Sequence, residues 1–121
     1  MKILIVEDNK LMRDVIRNML RTIGFTQIGE ADDGDTALTA CEAVLPDIIL
    51  LDWEMPRLNG MNFIVALRAI PGGKNVNIIM CTSRDEYADI TEALDGGAND
   101  FIMKPFTADI LASKLALAGA A

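Results

Sequence analysis

The sequence predicts an α/β domain: a five-stranded parallel sheet with helices on both faces, a (βα)5 three-layer sandwich. Three observations predict it. Short continuous apolar runs alternate with amphipathic stretches from end to end. The runs at 3–6 and 48–51 have no polar alternation, as strands buried on both faces require. The 121 residues suffice for one hydrophobic core and leave no room for a second sizeable one.

Residues 3–6 read as the first strand. Leu11, Met12, Val15, Ile16, Met19, Leu20 and Ile23 then recur at the spacing of one helix face. Asn9 suits the start of that helix and Gly24 its end. Residues 26–31 form a weaker strand, and 36–44 a second helix stopped by Pro46. Residues 48–51 are a strand as apolar as the first. A loop with Pro56, Asn59 and Gly60 leads to a helix carrying Phe63, Ile64, Leu67 and Ile70, which Pro71, Gly72 and Gly73 break. Residues 76–81 are the fourth strand, 85–95 a helix closed by Gly96 and Gly97, 101–103 the fifth strand and 107–117 the last helix. Residues 118–121 are expected to fray. Strands alternating with helices imply right-handed crossovers. No repeat or linker interrupts the series, so residues 1–121 are expected to form one domain with nothing appended.

Composition narrows the function. Against 18 Asp and Glu stand 11 Lys and Arg, a net charge of −7 that disfavours direct binding to nucleic acid. No stretch reaches the ~18 apolar residues of a membrane span. The first apolar run meets Glu7 and Asp8 too soon for a signal peptide, so a cytoplasmic location is expected. Cys41 and Cys81 lie in apolar stretches with no zinc spacing and read as small buried hydrophobes. The chain has no histidine, which removes the commonest general base.

Sites in open parallel sheets form at the carboxyl ends of the strands. Here the first strand ends in Glu7 and Asp8, the third in Asp52, the fourth in Thr82 and Ser83, and the fifth in Lys104 and Pro105. If the first and third strands are neighbours, their carboxylates crowd. Two such charges ~5 Å apart repel by roughly 3 kcal/mol at an effective dielectric of ~20. Either a carboxyl stays protonated or a cation binds. Oxygen donors used sparingly suit Mg²⁺, which keeps several waters. Carboxylates, Mg²⁺, a hydroxyl and a lysine together are built to hold a phosphoryl group. One carboxylate would then be the nucleophile of an acyl phosphate. Asp52 is the candidate, because it stands alone on its strand while Glu7 and Asp8 form a metal clamp.

Four motifs carry a resemblance. They are Ile5, Val6, Glu7, Asp8 and Asn9; Leu50 through Pro56 around Asp52, with Asn59 and Gly60 after it; Cys81, Thr82 and Ser83; and Phe101 through Phe106. In this order and at these intervals they resemble a bacterial response-regulator receiver domain over the whole chain. The stretch from Leu11 to Phe25 and the pair Asp52 and Trp53 are most similar to its single-domain chemotaxis members. The resemblance implies a flavodoxin-like fold with strand order 2-1-3-4-5. It implies that Asp52 accepts a phosphoryl group from a histidine kinase or phosphotransfer protein. Glu7, Asp8, Asp52 and the backbone carbonyl of Glu54 would hold Mg²⁺, and Thr82 and Lys104 would contact the phosphoryl oxygens. Phe101 occupies the position of an aromatic switch that turns inward as Thr82 moves, and the Lys104–Pro105 bond would be cis. The output surface would be the fourth helix, fifth strand and fifth helix, with Tyr87, Thr91, Asp95, Phe101, Met103, Phe106 and Lys114 as candidates. The chain would then be a stand-alone switch and not an enzyme, assisting only its own phosphorylation and dephosphorylation, with no output domain. Chemotaxis signalling to the flagellar motor is the pathway the resemblance suggests; a phosphate sink or a phosphorelay shuttle is the alternative.

Two departures from the family pattern concern the site. The switch aromatic is Phe101, with no phenol hydroxyl. Glu54 stands where chemotaxis relatives often carry a neutral amide, and Arg84 stands two residues past Thr82. These two are expected to pair across the site mouth and restrict the attacking water. Lys10, Arg13, Arg17 and Arg21 make a basic face on the first helix, either solvated or a docking surface for an acidic donor domain. A haloacid-dehalogenase-like phosphatase would share the Asp52, Trp53, Glu54 pattern, but that family places its nucleophile on the first strand and carries a cap. A flavin carrier would need a hydroxyl-rich first loop in place of Glu7, Asp8 and Asn9.

Overall fold

Strand β3, Ile48–Asp52, is buried along its whole length and runs through the middle of the sheet. The structure is a computed structural model that describes residues 1–55, 59–83 and 87–119, with the backbone only for 87–89. Its other elements are β1 (Lys2–Val6), α1 (Lys10–Ile23), β2 (Gln27–Ala31), α2 (Gly34–Ala43), α3 (Gly60–Ala69), β4 (Asn77–Thr82), α4 (Tyr87–Asp95), β5 (Asp100–Met103) and α5 (Ala108–Leu117). All strand pairs are parallel, in the order β2-β1-β3-β4-β5, as the family resemblance implies. The start expected for the fourth helix at residue 85 lies outside the described residues.

The strand alternation sorts the core into two layers. Leu4, Val6, Ile49, Leu51, Ile78 and Met80 face Ala37 and Cys41 of α2, Phe63, Ile64 and Leu67 of α3 and Ala93 of α4. Ile3, Ile5, Ile48, Leu50, Ile79 and Cys81 face Ile16 and Leu20 of α1 and Leu111 and Leu115 of α5. Covering both faces is why β1 and β3 read as unbroken apolar runs. The edge strand β2 is only partly buried, which accounts for its weaker sequence signal.

Local chemistry sets the helix ends. Asn9 Oδ1 accepts from the Met12 amide at 3.0 Å, and Asp33 Oδ1 from the Thr36 amide at 2.7 Å. That second cap starts α2 at Gly34, two residues before the expected position. Asn59 and Thr107 cap α3 and α5 in the same way. Gly24 ends α1 with φ 122°, a conformation that other residues rarely adopt. A short 3₁₀ turn at Gly73–Asn75 follows the Pro71 break and was not expected. Cys41 and Cys81 are both free and buried, and burial pushes the Cys81 thiol up to about 12. Among the described residues no helix is long and apolar enough to cross a membrane.

Candidate functional site at the carboxyl edge of the sheet

Because every strand is parallel, every strand's carboxyl end reaches one edge. β1 delivers Glu7 there, β3 Asp52, β4 Thr82, and the segment after β5 Lys104. Glu7 is 3% exposed, Asp52 5% and Thr82 0%, while Asp8 lies at the surface. A carboxylate oxygen from each of Glu7, Asp8 and Asp52 falls within 4.8 Å of the others. The crowding expected from the sequence is therefore present.

Two groups relieve part of it. Lys104 Nζ donates to Asp52 Oδ1 at 3.0 Å and to Glu7 Oε1 at 3.1 Å, bridging the two buried acids. The Glu54 amide also donates to Asp52 Oδ1, at 3.0 Å. Burial, and after it the adjoining Asp52 carboxylate, push the Glu7 carboxyl up to about 7, against the pull of Lys104. Burial alone would lower the Lys104 pKa, but its hydrogen bonds and charge attraction to Asp52 and Glu7 raise it. Among the described residues, these three acids, once all are ionised, face one ammonium and leave two negative charges to offset. Hard oxygen donors with that excess fit a divalent ion such as Mg²⁺.

The loop holding the acids is itself held. Arg13 Nη1 donates to the Glu7 carbonyl at 2.8 Å and sits 3.4 Å from that of Asp8, and the Asn9 amide donates to Glu7 Oε2 at 3.3 Å. Arg13 Nε also pairs with Glu30 of β2. The basic face expected on α1 is largely taken up this way. Lys10 pairs with Asp14, and Arg17 with Asp14 and Glu30. Glu30 lies far from α1 in sequence, so its part in the network was not visible there.

Among the described residues, Glu54 is held by Ser83. Its Oε1 accepts from the Ser83 amide at 3.0 Å and from Ser83 Oγ at 2.5 Å, with Thr82 Oγ1 at 3.4 Å. The bonds from Ser83 hold the Glu54 carboxyl below its usual range. Arg84, the expected partner, lies outside the described residues. Ser83 is the residue whose part the sequence reading missed: a neutral hydroxyl and an amide give no charge signal.

The Lys104–Pro105 bond is cis. Phe101 is half-buried and packs against the α2–α4 side of the core, with Lys114 Nζ 4.9 Å from its ring centre. The same Nζ donates to Asp100 Oδ1 at 2.9 Å. Phe106, considered for the output surface, is instead core beneath α1 and α5, 9% exposed. Of the other residues considered there, Tyr87 is described by its backbone only.

A cavity of about 420 Å³ opens over the acids, lined by Glu7, Asp8, Asp52, Glu54 and Lys104, with Leu11, Met12 and Val15 on its α1 side. A larger depression of about 580 Å³ lies between α2 and α3. Asp33, Asp35, Asn59 and Asn62 line it, with no cation among them, so size does not select the site.

The family model of the response regulator receiver domain matches residues 3–116. The chain belongs to that family. Over 115 residues the receiver domain is 42% identical to the chemotaxis protein CheY of Pseudomonas aeruginosa, covering 95% of this chain and 93% of that protein. CheY-3 of Vibrio cholerae is 41% identical over 115 residues, covering 95% and 88%. Among solved structures, chemotaxis protein CheY4 of Vibrio cholerae superposes with a TM-score of 0.90 at 28% identity, covering 97% of each chain. The receiver domain of a sensor histidine kinase of Pseudomonas aeruginosa, solved with a magnesium ion in its active site cleft, gives 0.87 at 34% identity, covering 98% and 97%.

Proposed function

We propose that the receiver domain is a phosphorylation switch whose acceptor is Asp52. The observation that carries this reading is the convergence on one buried carboxylate of a lysine ammonium, a backbone amide and two further acids. A carboxylate oxygen of Asp52 attacks phosphorus, the bond from phosphorus to the donor's histidine nitrogen breaks, and an acyl phosphate results. Mg²⁺, held by Glu7, Asp8, Asp52 and the Glu54 carbonyl, would supply charge compensation for the transferred group. Lys104 and Thr82 would bind the phosphoryl oxygens, and Phe101 would follow Thr82 between two positions. The donor is a histidine kinase or histidine phosphotransfer protein. Leu11 and Val15, 74% and 40% exposed, give it an apolar footing beside the site.

Output would pass through α4, β5 and α5 to a partner that prefers one state. Similarity to chemotaxis proteins favours the flagellar motor switch as that partner. Similarity to the receiver domain of a sensor kinase supports a second reading, a relay or sink within another two-component pathway. Labelled phosphohistidine donor with Mg²⁺ is expected to modify the wild type and not Asp52→Asn, and chelation is expected to stop it. Equal labelling of Asp52→Asn, or labelling indifferent to the chelator, would overturn the reading.

A further inference from the structure

The Glu54 carboxylate lies against Thr82, the residue to which the proposed function gives the phosphoryl oxygens. Its Oε1 accepts from two groups of Ser83 and lies within reach of Thr82 Oγ1. Those donors stand at the end of β4, and the backbone of the same residue 54 holds Asp52 Oδ1. One residue therefore links the acceptor carboxylate to the donors across the cavity. We propose that the Glu54 side chain is an internal surrogate for the phosphoryl group, occupying its hydrogen-bond donors at Ser83 and Thr82, and that it must leave them before Asp52 can be loaded. This rests on Asp52 being the acceptor.

The physical case is one of competition. A phosphoryl group on Asp52 brings about −1.5 to −2 charges and strong acceptor oxygens. It cannot share one amide and one pair of hydroxyls with a carboxylate without repulsion. The surrogate keeps the end of β4 in a ligand-bound arrangement before any phosphoryl group arrives, and it holds the unmodified state against loading. Its release then frees the Ser83 donors for the phosphoryl oxygens.

Glu54→Gln separates this idea from plain charge repulsion. It removes the charge of Glu54 but keeps a side-chain oxygen that can accept from the Ser83 amide and hydroxyl. The test titrates beryllium trifluoride, a phosphoryl analogue, into the full chain at saturating Mg²⁺. The readout is the emission of Trp53, the chain's only tryptophan, next to Asp52. Glu54→Ala is expected to bind the analogue about tenfold more tightly than wild type, the scale of one charge-assisted hydrogen bond. Glu54→Gln should gain clearly less, because its side chain still occupies the donors. Equal tightening in the two variants would assign the effect to charge and overturn the surrogate, as would no tightening in Glu54→Ala. If the wild type binds the analogue as Asp52→Asn does, the acceptor reading itself falls and the surrogate with it.

Discussion

Replacing Glu7 by Gln is expected to stabilise the metal-free receiver domain above neutral pH and to help little in acid. Glu7 is 3% exposed, and its carboxyl is raised from 4.5 to about 7. Across that interval the folded state keeps a proton that the unfolded chain releases. A raised carboxyl contributes fully below its unfolded value, and that contribution is lost as pH climbs through the folded one. At about 1.4 kcal/mol per pH unit, the span from 4.5 to about 7 removes about 3 kcal/mol from the wild type. Other groups do not blur the comparison. The raised Lys104 begins to titrate only above its ordinary 10.5, and the depressed Glu54 loses its contribution only below 4.5. The Glu7→Gln change also leaves the bond from Lys104 to Asp52 in place. Urea unfolding with a chelator, from about pH 5 to about pH 8, reads the difference between the two proteins. That difference should grow by about 3 kcal/mol in favour of the variant as pH rises. Saturating Mg²⁺ should reverse the wild-type loss, because it binds the ionised carboxylate. A difference independent of pH, or one moving the other way, would refute the reasoning.

Lys104→Met strands two buried carboxylates and should cost about 3 kcal/mol of metal-free stability near pH 8, and less near pH 5 where Glu7 holds a proton; urea midpoints at the two pH values check it. Gly60→Ala puts a Cβ 2.4 Å from the Trp53 ring, so the ring must move. About 1–3 kcal/mol of stability should go with it, and the tryptophan emission should shift. Arg68 donates to the carbonyls of Gly73, Val76 and Gly97 and to Asn99 Oδ1. Arg68→Met leaves Asn99 Oδ1 the Ile78 amide and Gly73 the Val76 amide, but takes the donor from the Val76 and Gly97 carbonyls; it should cost about 2–4 kcal/mol, with faster amide exchange at the turn between α4 and β5.

What the sequence revealed follows from which signals are local. β1 and β3 are legible because double-sided burial demands unbroken apolar runs, and the ends of α1 because Asn9 and Gly24 act within one turn. The acids at the strand ends are legible for the same reason, since each follows its own strand. The ion pair of Lys104 with Glu7 spans 97 residues and forms only when the sheet closes. Charge pattern alone shows less of the partners. The cations of α1 look available, yet Asp14 and Glu30 take Arg17, and the loop carbonyls take Arg13. The amide and hydroxyl of Ser83 that hold Glu54 come from 29 residues away and carry no charge signal.

The same charge excess that burdens the metal-free fold bears on the order of events proposed for the site. Among the described residues, with Glu7 ionised, three carboxylates stand against one ammonium, and an incoming phosphoryl dianion would meet a net repulsive field. One carboxylate at ~5 Å opposes it by roughly 3 kcal/mol per unit charge at an effective dielectric of ~20. Glu7, Asp8 and Asp52 would hold a divalent ion whose charge would offset that excess, leaving Lys104 to turn from bridging Glu7 and Asp52 toward the new oxygens. Ion binding should therefore precede transfer, and Lys104→Met should slow transfer even at saturating Mg²⁺, because the ion would replace its charge but not its donated hydrogen bonds. Stopped-flow transfer rates across an Mg²⁺ titration test this. A rate in Lys104→Met that recovers fully as Mg²⁺ rises would mean that charge alone was required, and that the geometry of the ammonium between the two acids contributes nothing to transfer.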